Sequence, residues 1–179
     1  SVDYMWGKST NQVSVIETDA RIPMKHALSQ FVVRLKVSPE YHNDGNLTSA
    51  KLKATASKFA TTGTMNLNDG GKITFQPTST ELTWSPNTTV PAQGQQAVDY
   101  AAAIYPMTLA AGEVSLEVVI DGATYTYAIP QITWEAGKRY IYSITMRSND
   151  AEIGGENGQS VTIEGWTSTE EDITLVPVK

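Results

Sequence analysis

The stretch at residues 114–129 constrains the fold more strongly than any other part of the sequence. Two runs of alternating apolar and polar residues flank the dipeptide Asp121-Gly122, which is the pair most suited to a two-residue type I′ turn. Counting outward from the turn pairs Val118 with Tyr125, and every second pair beyond it is also large and apolar. The other apolar pairs are Leu116 with Tyr127 and Val114 with Ile129. The sequence therefore predicts a β-hairpin with one buried face and this register.

Most of the remaining sequence also alternates with a period of two residues, between turns rich in Gly, Asn and Asp. At residues 24–37, Phe31 and Val33 fall on one side and Arg34 and Lys36 on the other, which predicts a strand with one solvent-facing side. Further strands are predicted at residues 13–17, 48–60, 63–67, 72–76, 81–84, 160–166 and 173–178. Many short strands and no convincing long helix predict an all-β protein, an antiparallel, Ig-like β-sandwich of about seven or more strands.

Three other segments carry more specific expectations. Residues 132–146 alternate on both sides of a short polar break that contains a glycine, so they predict a second, closing hairpin. Residues 98–105 are apolar on both faces and end before Pro106, which favours a strand in the middle of the sandwich. The acidic, Gly-rich residues 148–159 are expected to form a long exposed loop, as are the Pro-rich residues 85–96.

The chain length of 179 residues suits one large all-β domain. We expect residues 1–20 to form an extended segment or first strand and residues 21–179 to form a single sandwich. Because no signal-like segment follows Ser1, we expect the chain to be a processed or trimmed product. No apolar run approaches the roughly 18 residues that a membrane helix needs, so no membrane span is predicted.

Charge and cysteine content exclude several classes of protein. The net charge is −6 and the 13 Lys and Arg residues are scattered, so no basic patch is expected that could neutralise a nucleic-acid backbone. The chain contains no cysteine, which excludes disulfides, thiol nucleophiles and Cys-ligated zinc.

No catalytic, cofactor-binding or metal-ligating residue is predicted. The two histidines, His26 and His42, are separated by a strand and a polar loop and belong to no local catalytic signature. The acidic turns at residues 43–46, 66–70 and 149–157 lack the ligand spacing of a calcium loop, so turn formation explains them better. Nothing in the sequence positions Glu113 and Glu117 as a catalytic pair, and both are interpreted as solvated charges.

Trp6 and Trp84 are the candidates for exposed aromatic ligand contacts. Trp6 lies near a terminus and Trp84 precedes Ser85-Pro86, and an aromatic face packs well against the apolar face of a pyranose. Packing into the sandwich is the alternative for both residues, because aromatic side chains at strand ends usually fill cores. Trp134 is expected in the core.

Four places in the sequence carry a family resemblance through their order and spacing. They are the strand entry at residues 26–28, the strand end at residues 103–106, the turn at residues 134–138 with Tyr140 and Tyr142 behind it, and residues 163–166. This pattern resembles the fimbrillin family, which supplies type V pilus subunits to the surfaces of Bacteroidia-type Gram-negative bacteria. The resemblance implies a transthyretin-like sandwich, export as a lipoprotein and trimming at the outer-membrane surface. It also implies polymerisation, in which a strand of one subunit enters a groove of the next.

The segment that could act as a strand donor is residues 173–179, because alternate side chains of an added strand can fill pockets. The possible donor residues are Ile173, Leu175, Val176 and Val178. Pro177 removes a ladder donor, which leaves tip, anchor and accessory roles open. The expected partners are other fimbrial subunits, and a host protein or a glycan for an adhesive subunit. A carbohydrate-binding module of a cell-surface glycan system is the alternative function, and no cofactor is expected for either.

Overall fold

The computed structural model describes residues 3–10, 21–84, 88–89, 97–147, 150–153 and 162–165. Nearly all regular structure in these residues is β-strand, as the alternating sequence predicts. In chain order the strands are β1 (Met5–Gly7), β2 (Met24–His26), β3 (Ser29–Val37), β4 (Asn46–Ala54), β5 (Gly63–Asn66), β6 (Lys72–Phe75), β7 (Glu81–Trp84), β8 (Thr88–Thr89), β9 (Val98–Ile104), β10 (Met107–Leu109), β11 (Val114–Ile120), β12 (Ala123–Ala128), β13 (Ile132–Trp134), β14 (Lys138–Arg147), β15 (Asp150–Ile153) and β16 (Thr162–Gly165). A short 3₁₀ helix at Leu67–Asp69 lies in the turn between β5 and β6.

Two sheets of five strands each form the sandwich. The first sheet runs in the order β12, β11, β4 and β7, and β8 also pairs with β4. The second runs in the order β15, β14, β3 and β9, and β16 also pairs with β14. Among the described pairings, β14 with β3 is parallel and the others are antiparallel. The predicted all-β sandwich is therefore confirmed, with three two-stranded sheets added to it: β1 with β2, β5 with β6, and β10 with β13.

The core lies between the facing sides of the two large sheets. The fully buried Phe31 contacts aromatic rings from three other strands, at centroid distances of 4.5 Å to Tyr142, 5.7 Å to Trp134 and 5.8 Å to Trp84. Trp134 and Tyr142 are also fully buried, so Trp134 belongs to the core as predicted. Because burying a large apolar side chain contributes roughly 1.5–3 kcal/mol, this cluster stabilises the packing of one sheet on the other.

The hairpin predicted around Asp121-Gly122 is confirmed. In the β11–β12 pair, Val118 lies opposite Tyr125 and Leu116 lies opposite Tyr127, which is the predicted register. Asp121 and Gly122 both have positive φ angles, of 47° and 80°, as a type I′ turn requires. The apolar face of β11 enters the core.

The closing hairpin predicted at residues 132–146 is wrong. Its first strand, β13, pairs with β10, whereas its second strand, β14, pairs with β3, β15 and β16. The chain turns a corner instead, because the Tyr140 hydroxyl donates to the Thr133 carbonyl at 2.7 Å and accepts from the Glu135 N–H at 2.8 Å. Alternation alone cannot distinguish a hairpin from such a corner, since both place alternate side chains in a core.

The strand predicted at residues 24–37 is divided into β2 and β3 at Ala27 and Leu28. Backbone bonds to other segments explain the break. The Ala27 N–H donates to the Tyr4 carbonyl at 2.8 Å, and the Leu28 carbonyl accepts from the Gly137 N–H at 2.9 Å. Because β2 thereby joins β1 while β3 joins the second sheet, one predicted strand becomes two.

The side of β3 that was predicted to face solvent is less exposed than expected, since Val32 is fully buried. In the sheet register, Arg139 lies beside Gln30, on one side of Val32. Asp99 lies beside Arg34, on its other side. The hydrogen bond of 3.3 Å from Arg139 to Asp99 therefore crosses β3 diagonally at Val32. An arginine stem can cover apolar surface in this way while its charged end stays near water.

The prediction that residues 98–105 lie in the middle of the sandwich is wrong. β9 is the last described strand of its sheet. Its Asp99 and Ala101 side chains are exposed, while Tyr100 and Ala102 are buried. Alanine is small enough to occur on either side of a strand, so a run of alanines conceals the alternation.

The long exposed loop predicted at residues 148–159 is interrupted by β15, which pairs with the last four residues of β14. β14 is ten residues long and β16 pairs only with its first part, so backbone groups remain for β15. β8 likewise lies within the loop predicted at residues 85–96. The strands predicted at residues 63–67, 72–76, 81–84 and 160–166 are confirmed as β5, β6, β7 and β16. The strand predicted at residues 48–60 is confirmed only in its first part, because β4 ends at Ala54, where its pairing with β11 ends. The strands predicted at residues 13–17 and 173–178 lie outside the described residues, and the domain division after residue 20 stays a prediction.

Candidate functional site

Among the strands that the structure describes, β12 is the last of the first sheet, and this edge offers backbone groups for pairing. A two-residue turn makes Ile120 and Ala123 a hydrogen-bonded pair, and bonded and non-bonded pairs then alternate along an antiparallel ladder. The Ile129 N–H donates to the Val114 carbonyl at 2.9 Å, as this alternation requires. Among the described strands, β12 pairs with β11 alone. The backbone groups that point away from β11 are those of Thr124, Thr126 and Ala128.

The side chains of β12 do not protect this edge. Its sequence, Ala-Thr-Tyr-Thr-Tyr-Ala, contains neither a charge nor a proline, and its register with β11 is unbroken. Many proteins protect a free edge with charges, prolines or bulges. Tyr125 and Tyr127 pack against the core, whereas Thr124 and Thr126 are exposed. An added strand would therefore meet a neutral edge lined by hydroxyl groups.

The edge at β9, in the second sheet, is charged. Asp99 accepts two hydrogen bonds from Arg34, at 2.6 and 2.8 Å, and a third from Arg139 at 3.3 Å. The hydrogen bonds from Arg34 hold the pKa of Asp99 below its usual value, although burial acts in the opposite direction. Such a cluster disfavours the addition of an apolar strand. At the end of the first sheet opposite β12, the short β7 also carries a charge, Glu81, which lies 3.8 Å from Lys51.

The role of β12 as an interaction edge was not predicted, although its register with β11 was. The two-residue turn already determines which backbone groups of β12 point away from β11. The position of β12 at the end of the described sheet follows from the strand order. The alternation of apolar and polar residues does not predict that order. The predicted donor residues at 173–178 lie outside the described residues, so their role stays a prediction.

Trp6 lies on β1, partly buried against the turn of the β5–β6 hairpin. The Gly71 backbone is so close that an added Cβ would lie 2.1 Å from Cδ1 of Trp6, and only glycine avoids this clash. Nζ of Lys25 lies 5.8 Å from the ring centroid, within reach of a cation–π contact. The indole therefore attaches the hairpin to β1, and its predicted contact with a ligand is untested.

Trp84 lies at the end of β7, partly buried, with its ring at 73° to that of Phe31. Its indole Nε1 is buried and has no hydrogen-bond partner among the described residues. The ring therefore takes part in the aromatic core, and its predicted contact with a ligand also remains untested.

The titratable side chains of the described segments form no catalytic or metal cluster. His26 is 9% exposed and its Nδ1 lies 2.9 Å from an Asp3 carboxylate oxygen, while His42 is exposed. Within those segments, no group of three or more His, Cys, Asp or Glu side chains is arranged to hold a metal ion.

Glu113 and Glu117 form ion pairs with different lysines. Nζ of Lys53 lies 2.6 Å from Glu117, and Nζ of Lys58 lies 2.5 Å from Glu113. Hydrogen bonds from these lysines lower the pKa of both carboxyl groups. Glycoside hydrolysis needs a carboxyl group with a raised pKa as proton donor, so these two residues do not fit that role.

Comparisons with known proteins match this fold. The model of the fimbrillin-like family matches residues 1–166. A crystal structure from Bacteroides ovatus, of a protein named for cell adhesion, is 19% identical with a TM-score of 0.58, and the match covers 92% of this chain and 61% of that one. A second protein named for cell adhesion, from Bacteroides uniformis, is 16% identical with a TM-score of 0.55, covering 92% of this chain and 66% of that one. A fimbrial protein from Bacteroides vulgatus is 17% identical with a TM-score of 0.50, covering 82% of this chain and 56% of that one.

At these identities, the likeness to the solved structures shows a shared fold. The chain spans between 56% and 66% of the length of these three proteins. No curated protein matches the chain. In the part of the chain that the structure describes, no helix is both long and apolar enough to cross a membrane.

Proposed function

The chain belongs to the fimbrillin-like family, and from this premise we propose that it is a non-enzymatic structural or adhesive subunit of a bacterial surface fimbria. Such a subunit is exported and exposed at the cell surface, in association with the outer membrane. The names of the similar Bacteroides proteins, two for cell adhesion and one fimbrial, support this proposal. Its partners are other fimbrial subunits and, in an adhesive role, a host protein or a glycan.

The observation that carries the proposal is the neutral edge at β12. A strand added there would satisfy the outward-pointing backbone groups, and main-chain hydrogen bonds of this kind supply the affinity of strand addition. The donor is residues 173–178 of a neighbouring subunit. Ile173 and Leu175 lie two positions apart, so an extended chain would place both on one side as anchors. Pro177 follows these anchors, so the missing N–H falls near the end of the donor.

Charge favours β12 over β9 as the acceptor. Residues 173–178 carry no charged side chain, and the Arg34, Asp99 and Arg139 cluster would have to lose water to meet them. The threonine hydroxyl groups of β12 carry no such cost. The proposal therefore pairs a neutral donor with a neutral edge.

Replacing Thr126 by proline tests this acceptor edge. The Thr126 N–H points away from β11, so T126P removes a donor for the added strand and leaves the β11–β12 ladder intact. We expect T126P to remain folded and to bind a peptide of residues 170–179 about tenfold more weakly, because a hydrogen bond is lost and the proline ring obstructs the edge. The matched control T126A keeps the N–H and is expected to bind normally.

The measurement uses fluorescence anisotropy of the labelled peptide with chains that end at Thr169. Light scattering of the full chain at high concentration, beside the shortened chain, then tests self-association. Equal binding by T126P and T126A would show that the donor uses another edge. A full chain that stays monomeric, together with a shortened chain that ignores the peptide, would exclude strand donation by residues 170–179.

A further inference from the structure

A cleft of about 360 Å³ opens where the segment before β1, the β5–β6 hairpin and the segment after β9 meet. Tyr4 comes from the first of these segments and Tyr105 from the last. This volume is at the lower end of the roughly 300–1,000 Å³ that is typical of small-ligand pockets. The cleft therefore has room for a monosaccharide or disaccharide unit.

Tyr105 presents a rigid aromatic surface in the cleft. Its ring stacks on Phe75, with centroids 4.3 Å apart and an angle of 18° between the planes. The ring also lies on the backbone of Gly63, where an added Cβ would meet the Tyr105 hydroxyl at 3.0 Å. Since neighbours on two sides hold the ring, little ordering is needed when a ligand binds.

Tyr4 is the second aromatic residue of the cleft and is 52% exposed. Its backbone is nevertheless held in place, because its carbonyl accepts from the Ala27 N–H at 2.8 Å. Tyr4 and Tyr105 both line the cleft, and burial and, to a lesser degree, Tyr4 raise the pKa of Tyr105. An exposed ring beside a cavity is available for contact with a ligand.

The eight lining residues together determine the chemistry of the ligand. Five of the eight carry a hydroxyl group, which can both donate and accept hydrogen bonds. These are Tyr4, Thr61, Thr62, Thr64 and Tyr105. Met65 and Ile73, which are opposite each other on β5 and β6, add an apolar surface. None of the eight is charged.

We propose that this cleft binds a neutral sugar. A pyranose ring has hydroxyl groups at its edge and an apolar C–H face, which matches the hydroxyl groups, the two aromatic rings and the apolar pair of the cleft. An acidic sugar would bring a carboxylate to a site without a basic lining residue, at a desolvation cost. A lipid chain would leave the hydroxyl groups unpaired. The site gives the subunit an adhesive surface that is separate from the β12 edge.

Saturation-transfer NMR on the monomeric chain tests the site with lactose, maltose, cellobiose and N,N′-diacetylchitobiose as neutral probes. Glucuronic acid and sialyllactose serve as acidic probes. We expect at least one neutral disaccharide to bind. Tyr4→Ala should weaken that binding about tenfold, because a stacking partner is lost. Tyr105→Phe should weaken it by about two- to fivefold, because it removes one hydroxyl group and keeps the ring.

Leu67→Ala is the matched control. Leu67 is 63% exposed on the same hairpin but does not line the cleft, so this variant should bind like the wild type. Three results would each overturn the proposal: no neutral probe binds, the acidic probes bind more tightly, or both tyrosine variants bind like the wild type. Because the assay uses the monomer, none of these results affects the proposed strand donation.

Discussion

Asp121 forms the turn between β11 and β12 and also holds a distant loop in place. Its carboxylate accepts hydrogen bonds from the Tyr41 hydroxyl and from the N–H groups of Gly45 and Asn46, the latter two at 2.9 Å each. Burial acts to raise the pKa of Asp121, but these hydrogen bonds outweigh it and hold the pKa below its usual value. The ionised carboxylate therefore stabilises the folded state.

Replacing Asp121 by asparagine should remove this stabilisation. Because the folded-state pKa lies below the unfolded value of about 3.9, the contribution is present above that value and is lost as the pH falls through the folded-state pKa. We expect D121N to lower the free energy of unfolding by about 1 kcal/mol at neutral pH, allowing for partial exposure. Urea unfolding from about pH 7 to about pH 3 should show the difference from the wild type shrinking.

The control is D44N, which changes an exposed carboxylate in the neighbouring loop. It should alter the free energy of unfolding by less than about 0.5 kcal/mol at every pH. An equal pH dependence for D121N and the wild type would contradict the assigned role of Asp121.

Gly71 and Gly112 show two different reasons why a position requires glycine: a positive φ angle and a lack of space for a side chain. Both have φ near +70°, at 73° and 71°, but an added Cβ at Gly71 would collide with Trp6, whereas nothing lies within 4 Å of one at Gly112. We expect Gly112→Ala to cost about 1 kcal/mol through backbone strain alone. Gly71→Ala should cost about 2–3 kcal/mol, because the contact between the hairpin and Trp6 must also open. Urea unfolding measures both values, and equal costs would show that Trp6 does not hold the hairpin.

At the scale of elements, the corner between β13 and β14 depends on one hydroxyl group. The Tyr140 hydroxyl satisfies both the Thr133 carbonyl and the Glu135 N–H. Tyr140→Phe should therefore lower the free energy of unfolding by about 1–2 kcal/mol, because two backbone groups lose their partner. Thermal and urea unfolding provide the measurement.

Tyr100 supplies the matched control for this prediction. Its hydroxyl is also buried but has no hydrogen-bond partner among the described residues, so Tyr100→Phe should be neutral or slightly stabilising. If both substitutions cost the same, loss of the hydroxyl as such would be responsible, and the corner would not depend on Tyr140.

Local chemistry explains which elements could be predicted from the sequence. The Asp121-Gly122 turn was predictable because the turn type and the cross-strand register follow from adjacent residues. The hydrogen bond from the Asn46 N–H to the Asp121 carboxylate could not be predicted, because the two residues lie 75 positions apart. The corner at Tyr140 was predicted as a hairpin because the residues on both sides of it alternate. The hydrogen bonds that form the corner produce no such pattern in the sequence. Trp6 was predicted to be exposed, and no residue near it in the sequence indicates its contact with the distant Gly71.

At the scale of the whole molecule, the sandwich could be predicted but not the order of its strands. Alternation shows that strands have a buried face, and two such faces must meet. It does not show which strand ends a sheet, so the β12 edge could not be predicted, and neither could the cleft that joins Tyr4 to Tyr105. Both candidate sites arise where segments far apart in the chain come together. The residues predicted from the sequence were two single tryptophans, Trp6 and Trp84, and a terminal strand donor at residues 173–178.

The parallel pair of β3 and β14 has a consequence for how the molecule is made. Phe31 pairs with Tyr140, 109 positions later in the chain, and pairings over such distances fold slowly because a long loop must close first. During synthesis, the centre of the second sheet therefore has to wait for β14. Until then, β3 has only β9 as a described neighbour, and its backbone groups on the side of β14 stay unpaired. A chain released before β14 is complete would therefore present the open edge of β3 to other chains.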